Sequence, residues 1–316
     1  MGQSTLIAGR LADHPLWSVA LRDEEPAKHL ILPVIVSGAV EDRERVADAG
    51  GLERLSLTEL VREARRASQR GLAGLLLFGA TDRKDETAML ASERDHIVVR
   101  AIRAVKQAVP DLAVATDVCV CAYTSHGQCV LFGKGGADVA GTLERLQEIA
   151  LVHAEAGADL LIPSGMLDGT VAALRRAMSE DHAGVPVAAM AKLESALYVS
   201  HRVAVGAVPI SERAVPLLST DGNGPAIARV RRDIADGADA VVVKPGIPAL
   251  DLVHVLAAET DRPVISFHTA DEHIAFVAAA ETIDATAAER EVIAASRRAG
   301  ADLVITYGPW SVTEAA

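Results

Sequence analysis

Three stretches of the sequence repeat one phrase and decide the fold: AEAGADLLIP at residues 154–163, IADGADAVVV at 234–243 and RRAGADLVIT at 297–306. In each stretch a helical pattern ends at a glycine (Gly157, Gly237 or Gly300), and glycine readily adopts the left-handed conformation that ends helices. A continuous apolar run follows at once, and such runs indicate strands buried on both faces. The phrase therefore predicts a repeated helix-to-strand connection in an α/β protein.

Five further apolar runs bring the number of predicted strands to eight. They are HLILPVIVS at 29–37, GLLLFG at 74–79, LAVATDV at 112–118, VPVAAMAK at 185–192 and RPVISF at 262–267. Amphipathic segments separate them, such as the one from Ser56, where Ser56 can cap a helix and Glu59 stands three residues later as in a capping box. Eight evenly spread units predict a closed (β/α)8 TIM barrel. An open doubly wound sheet is the rival, but no Gly-rich dinucleotide fingerprint follows the first strand.

The 316 residues fit one such barrel at 29–316, preceded by an N-terminal arm at 1–28 that we expect to pack on a neighbouring subunit. Residues 200–225 combine Gly, Pro and Ser with charged side chains. A loop of that length in a compact domain is often functional, so we predict an active-site lid over the C-terminal mouth of the barrel.

The formal net charge of −12 argues against nucleic acid or an anionic membrane surface as a partner, because both would repel the protein. No apolar run approaches membrane-spanning length. We expect a cytoplasmic enzyme that acts on a small molecule.

Two lysines, Lys192 and Lys244, stand at the ends of the predicted fifth and sixth strands, where catalytic groups of such barrels lie. A buried ammonium group is costly unless it is paired or its pKa falls. Two neighbouring lysines would depress each other's pKa and leave one amine neutral enough to form a Schiff base with a ketone or aldehyde. The alternative is that each lysine reaches solvent or pairs with a carboxylate.

Cys119, Cys121 and Cys129 are the three cysteines of the chain, and all lie in one segment after the third strand. An odd number of cysteines argues against a set of disulfide bonds, because one cysteine would be left without a partner. Three thiolates in a C-x-C-x₇-C arrangement can instead bind Zn²⁺ and leave one position open for substrate, as catalytic zinc sites do. The alternative is three unrelated thiols, and we expect His126 to be structural or to support the metal ligands.

The sequence resembles the porphobilinogen synthase (5-aminolevulinate dehydratase) family over nearly its whole length. The matching pieces stand in family order: LILPVIV, RLSLTEL, LFG, RAIRAVK, TDVCVCAYTSHGQC, AEAGADLLIPSGMLDG, AKLESALY, GADAVVVKP and AGADLVITY. The resemblance implies condensation of two 5-aminolevulinate molecules to a pyrrole with loss of water. It also implies a homo-oligomer, often an octamer, with the N-terminal arm embracing a neighbour.

The resemblance further assigns roles to individual residues. It makes Lys244 the principal Schiff-base lysine, Lys192 the second one and Asp117 a catalytic acidic residue. It makes Cys119, Cys121 and Cys129 the zinc ligands.

The same resemblance implies a set of substrate-binding side chains. Arg202 and Arg213 fall on arginines that bind the carboxylate of one substrate molecule. The planar guanidinium group suits this role because it can donate two parallel hydrogen bonds to a carboxylate. Tyr307 falls on a tyrosine that contacts the other carboxylate. We also predict that Ser164 and Tyr198 bind substrate.

The sequence departs from the family pattern at positions that the resemblance places in contact with the substrate. The departures are Gly165 for an acid, Thr170 for an arginine, Leu217 for a glutamine, Ala270 for a serine, His273 for a tyrosine, and Gln128 for a histidine. Before the second lysine, Ala188, Ala189 and Met190 replace residues that carry two hydroxyls and a phenol. Each lost partner of a charged substrate group costs about 1.5–3 kcal/mol. The sequence therefore keeps the two lysines and the three cysteines of the family pattern, while it lacks several side chains that would form hydrogen bonds to the substrate.

Three functions remain open on these observations. The first is a zinc-dependent dehydratase that makes a pyrrole from two aminoketone molecules, either porphobilinogen synthase itself or a paralogue that uses a related aminoketone. The second is a different Schiff-base enzyme on the same barrel, such as an aldolase or a condensing enzyme of secondary metabolism that joins unlike partners. The third is a non-catalytic binding protein, which the two costly lysines disfavour.

Overall fold

The computed structural model describes residues 7–178 and 181–313 and contains eight parallel strands that form a barrel. The strands are β1 (Leu30–Ser37), β2 (Gly74–Ala80), β3 (Ala113–Val118), β4 (Leu160–Pro163), β5 (Ala188–Lys192), β6 (Ala240–Lys244), β7 (Val264–Phe267) and β8 (Leu303–Ile305). Their hydrogen-bonded order is β4-β3-β2-β1-β8-β7-β6-β5. The seam closes where the amide of Leu161 donates to the carbonyl of Pro186 at 3.0 Å. The predicted TIM barrel is therefore confirmed.

Helices pack around the strands in the alternation that the sequence predicted. The longer ones are Leu57–Gln69, Ile97–Ala108, Val139–Ala156, Thr170–Ala177, Gly224–Ala235, Leu250–Glu259, Ala270–Ala278 and Ala285–Ala299. Short ones are Val199–Ala204 and Trp310–Thr313, and 3₁₀ turns lie at Met89–Ser92 and Ile247–Ala249. Two antiparallel pairs stand off the barrel path, Arg43–Arg45 with Glu53–Leu55 and Leu131–Gly133 with Gly136–Asp138.

The predicted helix ends are confirmed, except that the capping box at Ser56 is incomplete. Gly157, Gly237 and Gly300 have φ values of 101°, 100° and 113°, in the left-handed region. Ser56 caps its helix by accepting from the amide of Glu59 at 3.3 Å. The Glu59 carboxylate does not complete a capping box, because it binds Arg43 and Arg62 instead.

The aspartate of each repeated GAD phrase joins an even-numbered strand to the strand before it. Asp159 accepts from the amide of Val114 at 2.8 Å, Asp239 from Val187 at 3.0 Å and Asp302 from Val264 at 2.8 Å. The main-chain amide of each aspartate also donates to the carbonyl of the same partner. The phrase thus fixes the register of three strand pairs at the N-terminal end of the barrel.

The described part of the predicted arm, residues 7–28, lies against the same chain's barrel. It contains helices Arg10–Asp13 and Trp17–Arg22 and a 3₁₀ turn at Pro26–His29. Trp17 is fully buried, and its indole nitrogen donates to the carbonyl of Asp159 at 2.9 Å. The first six residues, which the prediction also placed in the arm, lie outside the described part. Contact of the arm with a neighbouring subunit stays a prediction.

The segment predicted as a lid begins as helix Val199–Ala204 and then runs irregularly to helix Gly224–Ala235. Leu218 pairs with the end of β5: its amide donates to the carbonyl of Lys192 at 3.0 Å, and its carbonyl accepts from Glu194 at 2.8 Å. The segment is therefore held directly beside one of the two predicted reactive lysines.

Candidate active site

Lys192 and Lys244 both open into one cavity at the C-terminal end of the barrel. The last residues of β5 and β6 pair directly, so the two lysines are neighbours in register. Their exposed fractions are only 8% and 7%, and the strands that carry them are buried throughout. The predicted pair is therefore brought together in an enclosed site.

The amine of Lys244 lies among aromatic rings. Its Nζ is 3.9 Å from the ring centre of Phe267 and 5.5 Å from that of Tyr198, whose ring is also 5.0 Å from Nζ of Lys192. Burial lowers the pKa of Lys244 to about 7, and the cation of Lys192 acts in the same direction, while Asp117 opposes both. At neutral pH a large share of this amine is unprotonated and nucleophilic.

Asp117 and Ser164 lie at the ends of β3 and β4 on the cavity wall that faces the lysines. Burial raises the pKa of Asp117 to about 6, against a hydrogen bond from Ser164 and the charges of Lys192 and Lys244. A carboxyl group tuned to this range can give or take a proton near neutral pH.

The sulfur atoms of Cys119, Cys121 and Cys129 lie within 4.8 Å of one another, and those of Cys119 and Cys121 are 3.4 Å apart. Three sulfurs on a tetrahedral zinc would be about 3.8 Å apart, given a Zn–S distance of about 2.3 Å. Hydrogen bonds from the other two thiols hold the pKa of Cys129 well below its usual value. Cys121 and Cys129 also line the cavity, so a bound metal would face it.

A recess beside Lys192 continues the cavity and carries the predicted arginines. It shares Cys129, Ser164, Lys192 and Arg202 with the cavity and adds Arg213, Gly165 and Leu217. Burial, followed by the charge of Arg202, lowers the pKa of Arg213. Two guanidinium groups that face one recess suit an anionic ligand.

Tyr307 occupies a different position from the other predicted residues. It lines an adjoining groove, and its hydroxyl reaches the cavity through His201, whose Nδ1 lies 3.1 Å away. His201 itself lines the cavity and was missed, because one histidine in a short helix carries no motif. Tyr198 lines the cavity with its ring, while its hydroxyl donates to the carbonyl of Leu193 at 2.8 Å.

The residues that depart from the family pattern divide into cavity and scaffold positions. Met190, Gly165 and Leu217 line the cavity or the recess. Thr170 instead binds the carbonyl of Leu167 at 2.9 Å. Nδ1 of His273 is hydrogen bonded to the carboxylate of Glu289, and the residue lines the groove of Tyr307.

Ala188, Ala189 and Ala270 are buried, the first two within β5 and the third as the first residue of its helix. Gln128 also lines the recess, where its side-chain amide binds residues 211–214.

Fold and site together define the class of protein: a (β/α)8-barrel enzyme with paired buried lysines beside a cysteine cluster. The family model for delta-aminolevulinic acid dehydratase matches residues 11–315. The chain belongs to this family, and it is a lyase of the dehydratase type. Within residues 7–178 and 181–313, no helix is both long enough and apolar enough to cross a membrane.

Individual relatives agree with that assignment. The delta-aminolevulinic acid dehydratase of Bos taurus is 36% identical over 318 residues, covering 96% of each chain. That of Escherichia coli (strain K12) is 35% identical over 284 residues, covering 88% of this chain and 87% of the relative. The Toxoplasma gondii ME49 enzyme, solved with its product porphobilinogen, has a TM-score of 0.87 at 27% identity and covers 99% of this chain and 91% of that one.

Proposed function

We propose that this protein condenses two molecules of 5-aminolevulinate to porphobilinogen with loss of water, using Schiff bases on Lys244 and Lys192. The single observation that carries the proposal is the pairing of these two lysines, in register and buried, at the mouth of the barrel. A binding protein has little use for two buried amines, because each costs free energy on folding.

The chain's own groups can carry out the first covalent step. The neutral amine of Lys244 attacks the ketone carbon, the carbonyl oxygen leaves as water, and an iminium bond remains between Nζ and that carbon. Asp117, with its pKa raised to about 6, is placed to supply and recover the proton that this exchange requires. Lys192 holds the second ketone in the same way, one strand away.

The cysteine cluster fits zinc, since three soft thiolates of suitable spacing converge at the cavity wall. Cys119, Cys121 and Cys129 would hold the ion. Bound zinc supplies a Lewis acid and the positive charge that keeps three neighbouring thiolates ionised. One of the three, Cys129, lines the recess of Lys192.

Arg202 and Arg213 are proposed to bind the carboxylate of the molecule held by Lys192, because both line the recess next to that lysine. Tyr198 is proposed to pack its ring against both substrates beside the two amines. Ser164 is proposed to orient Asp117 and to touch substrate at the boundary between cavity and recess.

A related aminoketone is a second candidate substrate, and Leu217 favours it. Its side chain lies in the recess beside Arg213 and offers no hydrogen bond to a carboxylate. If a substrate with a different tail is used, the same lysines and metal would serve. We also expect a homo-oligomer, which light scattering would measure.

One experiment tests the proposal and separates the two substrates. Zinc-loaded protein is incubated with 5-aminolevulinate, assayed for porphobilinogen, and reduced with borohydride so that labelled lysines can be mapped by mass spectrometry. Product with labels on Lys244 and Lys192 is expected. Lys244→Met should abolish both product and the label at residue 244. Lys134→Met, at an exposed lysine in the turn between Leu131–Gly133 and Gly136–Asp138, should change neither.

A label without product would favour the related aminoketone as substrate. Absence of both label and product, with intact fold and metal, would overturn the Schiff-base proposal.

A further inference from the structure

The wall of the cavity next to Lys244 is a row of neighbouring aromatic rings that ends at His201. Nζ of Lys244 lies 3.9 Å from the centre of Phe267, and Phe267 lies 6.5 Å from Phe78. Phe78 in turn meets the imidazole of His201 edge-on at 4.4 Å. His201 is therefore the first polar side chain reached along this wall from the amine.

Three other polar side chains that line the cavity each already make a hydrogen bond within the protein. The hydroxyl of Tyr198 donates to the carbonyl of Leu193 at 2.8 Å. The hydroxyl of Thr269 accepts from the amide of Glu272 at 3.2 Å as the cap of a helix. Arg202, which lines both the cavity and the recess of Lys192, donates to the carbonyl of Ala207 at 3.0 Å.

His201, in contrast, has one ring nitrogen available. Its Nδ1 is hydrogen bonded to the hydroxyl of Tyr307 at 3.1 Å, and across residues 7–178 and 181–313 no group is hydrogen bonded to its Nε2. If the phenol donates to Nδ1, the ring proton lies on Nε2, which becomes a donor toward the cavity. Burial and the charges of Lys244 and Lys192 hold the pKa of His201 well below its usual value, so the free site presents a neutral donor.

We propose that His201 binds the carboxylate of the molecule held by Lys244 through its Nε2–H group, with Tyr307 as a positioning residue that fixes the imidazole. The inference rests on the proposed function, since it assumes that a ketone with a carboxylate tail is bound at Lys244. It makes His201 a specificity-determining residue: the two arginines serve the molecule at Lys192, and the His201–Tyr307 pair serves the other.

The test uses ketones that cannot complete the reaction. 4-Oxopentanoate is 5-aminolevulinate without its amino group, and pentan-2-one has the same ketone with a methyl group in place of the carboxylate. Borohydride labelling of Lys244 is measured against the concentration of each ketone. Because product formation is not needed, a result is obtained even if 5-aminolevulinate is not the natural substrate.

His201→Phe keeps a ring against Phe78 and removes the donor. It should raise the concentration of 4-oxopentanoate for half-maximal labelling by about ten- to a hundredfold, as expected for one hydrogen bond to a charged group. Labelling by pentan-2-one should stay unchanged. His254→Phe, the same substitution at an exposed histidine, should change neither.

Tyr307→Phe distinguishes positioning from direct contact. It should weaken labelling by 4-oxopentanoate less than His201→Phe does, and it should add little in the His201→Phe background. Equal losses for both ketones in His201→Phe would overturn the proposal, since His201 would then control the lysine and not the carboxylate. No loss for either ketone would also overturn it.

Discussion

The side-chain amide of Gln128 donates a hydrogen bond of 2.8 Å to the carbonyl of Glu212. This bond connects the loop that carries Cys129 to the segment that carries Arg213, and both residues line the recess. The same nitrogen reaches the carbonyl and the hydroxyl of Ser211, and the side-chain oxygen accepts from the amide of Ala214 at 3.2 Å. Gln128 is 3% exposed and stands next to Cys129. It therefore fixes the chain on both sides of Arg213.

Replacing Gln128 should loosen this segment without removing a metal ligand. Gln128→Leu leaves the main-chain groups of residues 211–214 without their partner, a loss of about 1–3 kcal/mol. We expect faster proteolysis at these residues and a higher KM for 5-aminolevulinate, with a smaller change in kcat because Arg213 is misplaced and the lysines are not.

Ser211→Ala removes only one of the contacts and is the matched control for Gln128→Leu. If Gln128→Leu left both protease sensitivity and KM at their original values, the segment would be held by other contacts.

The low pKa of Lys244 predicts how Schiff-base formation depends on pH. The neutral amine is the nucleophile, so borohydride labelling of Lys244 should increase as the pH rises through about 7 and level off above it. Lys192→Met removes a neighbouring cation and should move this midpoint upward. Lys192→Arg keeps the charge and should leave the midpoint near its original value.

Asp117→Asn should move the same midpoint in the opposite direction, because the Asp117 carboxylate favours the protonated lysine. A midpoint near the ordinary lysine value in the unaltered protein would contradict the environment described for Lys244. Mass spectrometry of the labelled peptide over a series of pH values makes the measurement.

Much of the barrel and its reactive groups could be predicted because the signals are local in the sequence. Each buried strand is a continuous apolar run, and Lys192 and Lys244 end two of them. The three cysteines lie within one segment, so their proximity needs no knowledge of the fold. Closure of the barrel followed from the number of such units.

Other features depend on contacts between distant segments and left no local pattern. His201 meets Tyr307 across 106 positions, and Gln128 meets Glu212 across 84. The resemblance assigns Tyr307 to a substrate carboxylate, and the structure adds the contact of its hydroxyl with His201, which lines the cavity. Burial of Trp17 beneath the barrel likewise depends on Asp159, far along the chain.

The cysteine cluster predicts one zinc ion per chain and a simple thiol readout. The protein has three cysteines, so a thiol reagent counts the cluster alone. Zinc-loaded protein should react slowly, and a chelator should expose three reactive thiols and abolish porphobilinogen formation. Cys129→Ser should lower zinc affinity at least about tenfold, since a soft thiolate ligand is lost.

Ser164→Ala, beside the cluster but not in it, should retain zinc. Full zinc content in Cys129→Ser would exclude that thiol as a ligand. Metal content is measured by elemental analysis after dialysis.

The aspartate of the repeated phrase should be important for stability. Asp239 is 2% exposed, accepts from the amide of Val187 at 3.0 Å and forms ion pairs with Arg175 and Arg10. Asp239→Ala removes the ion-pair partner of the mostly buried Arg175 guanidinium, which keeps its bonds to the carbonyls of Gly237 and Val185, and the acceptor of the Val187 amide. The expected cost is about 3–5 kcal/mol. Asp261→Ala, which removes an exposed carboxylate, should cost less than about 1 kcal/mol by denaturant unfolding. Equal costs for the two substitutions would contradict the role assigned to the GAD aspartates.

A buried histidine predicts that the fold weakens in mild acid. His96 is 3% exposed, packs edge-on against Tyr123 at 4.9 Å, and neither ring nitrogen has a partner in the described part of the chain. Burial lowers its pKa to about 4. Between pH 6.5 and pH 4 the unfolded chain therefore binds a proton that the folded chain does not, and stability falls as the pH decreases.

The expected loss from this one residue is about 3 kcal/mol by pH 4, from a pKa difference of about 2.5 units. His96→Phe keeps a ring against Tyr123 and removes the titrating group, so its free energy of unfolding should decrease less between pH 7 and pH 4.5 than that of the unaltered protein. His254→Phe, at the surface, should follow the unaltered protein. If His96→Phe lost as much stability as the unaltered protein over this range, His96 would not contribute to the acid sensitivity. Other buried groups would then account for it, such as His153, whose pKa burial lowers to about 3.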